Sequence, residues 1–319
     1  MTQPISRRSS LAALGAATLS GSMMRPARAD LTPLQVGIIP IATNVPYYAA
    51  DKLGYFTAEN IAVQAQAIRG GAAAIPAMLT GSLDIVFTNS TSAAQAISKG
   101  LDVRLILSGT IAGNKPPDPG AILQRKGDGL RTGKDLEGKI VAVNTLRDII
   151  WMVTTAWITA TGGDLSKVQI IELPITSMVD AIKTKRVDAA LIIDPFLTVA
   201  LDDPAIDLLA WPMSTVFPGG PMAFFVIAGP MTQLRPNDIR AFLRAYRRGA
   251  AWATANIGKQ AYFDLIAGFS GLNADLVRRM VPTPVQADVV PSSLTKLTGL
   301  MQKTGLLDGP LDLRSKVFT

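Results

Sequence analysis

One spacing, repeated, limits the folds open to this chain. A strand starts near Val36 and another opens at Asp84, 48 positions on; a strand starts near Ile140 and another opens at Asp188, again 48 on. Shortly before each aspartate stands a glycine or a basic residue, Gly81 in the first case and Arg186 in the second. Strand–helix–strand units recur at similar lengths anyway, so coincidence is one explanation. Two lobes of like α/β build is the more economical one. The 319 residues, 48% hydrophobic and 17% charged, suffice for two cores.

The hydrophobic periodicity fills in the units. It predicts strands over 34–40, 61–67, 84–87, 103–108, 121–124, 139–143, 168–173, 188–193 and 222–228. Helices are expected over 47–53, 72–80, 93–99, 149–161 and 177–184. Alternation at these spacings predicts mostly parallel sheets with helices on both faces. Two Pro/Gly-rich stretches, 113–120 (GNKPPDPG) and 211–221 (WPMSTVFPGGP), interrupt the pattern and read as crossings between lobes. From Pro236 onward the period is helical, with Asn237 as a cap signal and further helices over 260–269, 274–280 and 292–304. These are expected to pack on the first lobe. The domains are therefore read as 30–115 plus 213–319 for lobe 1 and 116–212 for lobe 2.

Residues 1–29 stand apart. A basic start with Arg7-Arg8, an apolar small-residue core and Ala27-Arg28-Ala29 make an export signal, and the paired arginines resemble the twin-arginine form. No stretch supplies the roughly 18 uninterrupted apolar residues of a membrane span. The chain carries +7, but four of its arginines and no acid lie in the signal, which leaves the rest near +3. That charge, scattered as it is, argues against nucleic acid as a partner.

There is no cysteine and no histidine. Serine or cysteine nucleophiles activated by histidine, imidazole bases, and thiolate or imidazole metal sites are thereby excluded. An enzyme here would run on carboxylates, lysine or tyrosine. Gly129 to Asp135 superficially resembles a phosphate loop, yet it is one residue short and carries Asp135 where Ser or Thr would hold magnesium.

The stretch Gly81 to Ser92 has the look of a ligand loop. A short apolar strand empties into Thr88, Asn89, Ser90, Thr91 and Ser92, residue types that cap helices and leave N–H groups for an anion. An ordinary capped turn is the alternative. Arg147 could offer a guanidinium to a sulfonate or carboxylate, or simply pair with Asp148 on the surface. Asp194 could hold a ligand amine, or cap a helix ahead of Pro195. Tyr47, Tyr48 and Trp151 could stack on an organic ligand or fill cores.

Several segments in order, Val45 to Phe56 (VPYYAADKLGYF), Gly81 to Ile85, Asp135 to Val143, Val187 to Ala190 and Asp194-Pro195, resemble the periplasmic solute-binding proteins of the nitrate, sulfonate and taurine type. These share their fold with proteins that make or bind the thiamin pyrimidine precursor. The resemblance implies an α/β, type II periplasmic binding protein, two α/β lobes joined by a two-crossing hinge. It implies a monomeric partner of an ABC transporter permease that captures a small organic anion, sulfonate-like or carboxylate, in the cleft. Asn44, Pro46, Tyr47 and Tyr48, the Gly70-Gly71 turn, and Asn89, Ser90 and Thr91 would face that cleft from one lobe. Thr145, Arg147 and Asp194 would face it from the other. No cofactor, metal or catalytic residue is expected, since the histidine and cysteine-rich segment of the synthase relatives are missing. A carboxylate- or tyrosine-based enzyme and a ligand sensor remain the alternatives.

Overall fold

The computed structural model describes residues 31–68 and 70–319; the segment read as an export signal lies outside them. Ten strands follow one another among the described residues: β1 (Thr32–Ile38), β2 (Ile61–Ala67), β3 (Ile85–Asn89), β4 (Val103–Ile111), β5 (Gly120–Arg125), β6 (Ile140–Val143), β7 (Gln169–Glu172), β8 (Ala189–Ile193), β9 (Ile206–Ala210) and β10 (Pro221–Ala228). They make two five-stranded sheets, in the orders β2-β1-β3-β10-β4 and β7-β6-β8-β5-β9.

The two orders are the same topology written twice. In the first sheet β1 runs parallel to β2 and β3, while β10 is antiparallel to β3 and β4. In the second, β6 runs parallel to β7 and β8, while β5 is antiparallel to β8 and β9. The sheets are thus mixed, more so than the alternating pattern suggested. Pairing partners explain the difference: β5 and β10 are each the first strand after a crossing, and the chain enters each sheet from the far side. The strand β9 and the helix Phe196–Ala200 are additions to the elements the periodicity predicted.

The 48-residue echo has a physical basis at the strand starts. Gln35 N–H donates to the Asp84 carboxylate at 2.7 Å, and Ile140 N–H donates to the Asp188 carboxylate at 2.9 Å. In return the Asp84 and Asp188 N–H groups donate to the carbonyls of Gln35 and Ile140. Each aspartate therefore fixes the register of a central parallel pair. Their second partners differ: Arg235 lies 3.1 Å from Asp84 in a half-buried pair, and Lys139 lies 3.6 Å from the more exposed Asp188.

The crossings are tied together. Ala112 N–H donates to Gly220 O at 2.8 Å, and Gly219 N–H returns the contact to Ala112 O at 3.2 Å. The wholly buried Asp118 accepts from Ser214 N–H at 2.9 Å, at the start of the helix Pro212–Val216. Burial pushes the Asp118 carboxyl up, and the hydrogen bonds from Ser214 and Met213 pull it down.

The segment 129–135 has a structural role, and the cap reading at Asn237 changes. The segment 129–135 closes with a capped turn, Thr132 against Asp135, and a β-carbon on Gly133 would sit 2.0 Å from Ile158 O. Glycine there permits close packing on the helix Ile149–Ala160. The helix Pro236–Asn256 starts with Pro236 at its first position and no side-chain cap, so Asn237 does not cap it. Its Ile239, Phe242 and Tyr246 do pack on the first sheet, with Val36 and Phe225. The helix Pro291–Lys303 instead touches both Ser90–Ser98 and Ile149–Ala160, and so bridges the two halves. The outer edge of β4 is covered by the tail, since Ser108 N–H donates to Ala287 O and Phe318 N–H to Leu105 O, each at 2.9 Å.

Candidate functional site

Where the ends of β1, β4 and β8 meet the starts of β5 and β10, the chain lines a partly open cavity of about 140 Å³. Ligands in open α/β sheets settle beyond the carboxyl ends of strands, and three such ends converge here. The wall is mainly apolar, with Ile41, Ile111, Ile150, Ile193, Met213, Met222 and Met280 as its largest side chains. Methionine is unbranched and polarizable, so three of them give a surface that adapts to shape.

The polar groups are few. Thr43, Thr110 and Thr283 bring hydroxyls, and the buried Thr43 Oγ1 has no hydrogen-bond partner. Among the described residues, Asp194 is the one ionisable residue in the wall. Its Oδ1 accepts from Thr198 N–H at 3.1 Å and from the Thr198 hydroxyl at 2.6 Å, and its Oδ2 accepts from Val281 N–H at 3.0 Å. Asp194 therefore accepts from the first turn of the helix Phe196–Ala200, which Pro195 opens, and lines the cavity wall. Burial pushes its carboxyl up, against the pull of Thr198 and Val281.

Val281 and Thr283 belong to a stretch that no motif marked. This stretch runs along β4, as the pairing of Thr110 with Val285 shows. Just before it, Arg279 forms a two-oxygen ion pair with Asp202, at 2.9 and 2.6 Å. The two contacts fasten the region of β8 to the segment that closes the cavity.

The other residues singled out in the sequence lie elsewhere. Asn44 is wholly buried and donates to Ile39 O at 2.8 Å, which shapes the turn carrying Ile41 and Thr43 to the cavity wall. Pro46 sits in the first turn of the helix Val45–Lys52. Tyr47 is wholly buried in an aromatic core with Phe56, Phe225 and Phe242, and its hydroxyl is pushed far up by burial. Tyr48 stacks on Phe269 with ring centroids 3.9 Å apart. These two tyrosines are packing residues in this structure.

The stretch Thr88 to Ser92 is no loop. Strand β3 runs through Asn89 and the helix Ser90–Ser98 begins at the next residue. The Asn89 side chain accepts from Ser92 N–H at 2.7 Å and from the Thr91 hydroxyl at 2.8 Å, so it caps the helix, and Ser90 and Thr91 are wholly buried beneath it. Gly70 has open space around it, whereas a β-carbon on Gly71 would lie 2.3 Å from Thr88 Cα. Gly71 is a packing glycine between the helix Gly71–Leu79 and β3.

Thr145 and Arg147 are exposed, and Arg147 holds φ +59°. Its guanidinium donates to Gly305 O at 2.9 Å and lies 5.9 Å from the Trp151 ring, while its carbonyl accepts from Gln95 at 3.1 Å. Asp148 does not pair with it. The Asp148 carboxylate caps the helix Ile149–Ala160, accepting from Ile150 and Trp151 N–H at 2.8 and 3.1 Å. Arg147, Lys99, Gln95 and Asp308 line an open polar groove of about 600 Å³, distinct from the cavity. Among the described residues no three carboxylates gather to hold a metal ion, and no helix is long and apolar enough to cross a membrane.

The sequence from residue 42 to residue 257 matches the family model described as NMT1/THI5 like. No curated protein is detectably similar in sequence. Solved structures are similar in fold. The periplasmic aliphatic sulphonate binding protein SsuA of Escherichia coli aligns at TM-score 0.72 and 18% identity, over 89% of this chain and 97% of that one. The periplasmic nitrate-binding protein NrtA of Synechocystis PCC 6803 aligns at 0.70 and 13%, over 90% and 85%. A zinc-bound ligand-binding component of an ABC-type import system from Staphylococcus aureus aligns at 0.72 and 14%, over 88% and 94%. The ligands these proteins are named for differ in chemistry while the fold stays, so the fold itself does not select a ligand. With two mixed sheets, two crossings and a match over most of its length, the chain belongs to the NMT1/THI5-like family and has the fold of the periplasmic binding proteins.

Proposed function

We propose that this chain is the exported, solute-capturing component of an ABC importer, working as a monomer that hands a small organic solute to a membrane permease. Lobe 2, residues 116–212, closes on lobe 1, residues 30–115 and 213–319, and the solute is held between them. The carrying observation is the cavity of about 140 Å³ at the converging strand ends. Its size is close to that of apolar cavities of about 150 Å³ that take up a benzene-sized guest. The reading makes the protein a binder rather than an enzyme, with Asp194 as the polar group of the wall that holds the solute.

Of the residues chosen from sequence, Asp194 is the solute contact in this proposal. Asn44 and Pro46 act behind it by setting the turn at Ile41–Thr43. A second reading is favoured by the groove: a sulfonate-like or carboxylate anion could dock there between Lys99 and Arg147. Titration calorimetry separates the two. Binding that is lost in Met222→Trp and kept in Arg147→Ala supports the cavity; the reverse supports an anion in the groove. Export is tested by the mass of the secreted chain, which the proposal sets at cleavage after Ala29.

A further inference from the structure

We propose that the solute taken by the cavity is a compact apolar molecule that presents one nitrogen donor, an amine or other protonated nitrogen, to the Asp194 carboxylate. This rests on the solute-binding reading above and names the class of solute. A carboxylate has about four acceptor directions. Thr198 fills two of them and Val281 one, which leaves one for a donor inside the cavity. Among the described residues, no Lys or Arg lines the wall. A negative solute would therefore meet a negative group in apolar surroundings with no counter-charge, whereas a positive one supplies the counter-charge that a buried carboxylate lacks.

The rest of the wall fits the rest of such a molecule. Three methionines and four isoleucines accept an apolar body without demanding hydrogen bonds. Thr43 Oγ1, buried and unpartnered, offers a single secondary contact. The same Asp194 is also held by Val281 from the segment that closes the cavity. Binding at its free acceptor site thus couples the solute to the contact that joins the two halves.

Matched probes on one ring test the class. Benzylammonium, benzyl alcohol, benzoate and benzenesulfonate are titrated calorimetrically into the full chain, into Met222→Trp and into Asp194→Asn. The proposal expects benzylammonium to bind at least about tenfold more tightly than the other three, with Met222→Trp removing all binding. It also expects Asp194→Asn to erase the preference for the amine while benzyl alcohol is unaffected. If Asp194→Asn does not fold, the ranking on the unaltered chain decides, and Thr43→Val should weaken every probe by a small factor. An anionic or neutral probe that binds best and is still lost in Met222→Trp overturns the amine class and leaves the solute site standing. Binding of no probe, or binding indifferent to Met222→Trp, overturns the solute site and the class with it.

Discussion

The cavity and the open groove lie on either side of one helix start, and they carry opposite chemistry. Ile150, in the first turn of Ile149–Ala160, reaches the cavity, while Arg147, three residues earlier, lines the groove. The cavity holds about 140 Å³ of mostly apolar space with one carboxylate; the groove holds about 600 Å³ edged by Lys99 and Arg147. Charged side chains that stay in water interact weakly and cost little to place. A carboxylate kept inside an apolar wall costs much more and needs a reason. The contrast teaches that the conspicuous cations of the sequence mark a solvated surface, and that the quieter aspartate marks the apolar site.

The sharpest way to break this contrast is to fill the cavity. Met222→Trp should lower the affinity for benzylammonium by roughly a hundredfold or more, as added bulk in a small apolar site excludes its guest. Titration calorimetry reads it, and unchanged affinity would move the site to the groove.

The next effect separates packing from binding at the glycine turn. Gly71→Ala should cost about 2 kcal/mol in urea unfolding because its β-carbon meets Thr88 backbone. Gly70→Ala, with nothing nearby, should stay within about 0.5 kcal/mol. Equal stabilities with a selective loss of solute binding would restore the pair as ligand contacts.

A third test lies on the helix start between the two regions. Burial pushes the Asp148 carboxyl up to about 6, against the hydrogen bonds from Trp151 and Ile150 N–H. The folded chain therefore holds this proton more tightly than the unfolded chain, whose carboxyl titrates near about 4. Its contribution is favourable below about pH 4 and is lost as the pH rises to about 6. Asp148→Asn keeps the capping oxygen and removes the titration. Between pH 4 and pH 7 the native chain should lose on the order of 2 kcal/mol relative to this variant. Parallel stability curves across that range would contradict the buried charge.

The smallest expected effect is at Arg147. Arg147→Ala should change cavity binding by less than about twofold and stability by about 0.5 kcal/mol or less, since its guanidinium is exposed.

Much of the fold was legible because it rests on local pattern. The strand Ile61–Ala67 matches its expected bounds, and the aspartates at 84 and 188 mark equivalent strand starts because each answers a backbone N–H on its neighbour. The direction of β5 and β10 was not legible, since pairing is decided by contacts far along the chain. At Thr88 to Ser92 the residue types that cap helices are also those that fill loops, and a strand joined directly to a helix leaves no spacing to tell them apart. The candidate site was the least legible part. Its wall draws on segments from Ile41 to Thr283, and most of its members are plain apolar residues that carry no motif. Only Asp194, beside Pro195 at a strand end, gave a signal.

The most direct measurement is a crystal structure of the chain grown with benzylammonium. The ring is expected between Met213 and Met222, with its nitrogen within hydrogen-bond distance of the Asp194 carboxylate. Density for the ligand beside Lys99 and Arg147, with the cavity unchanged, would contradict it.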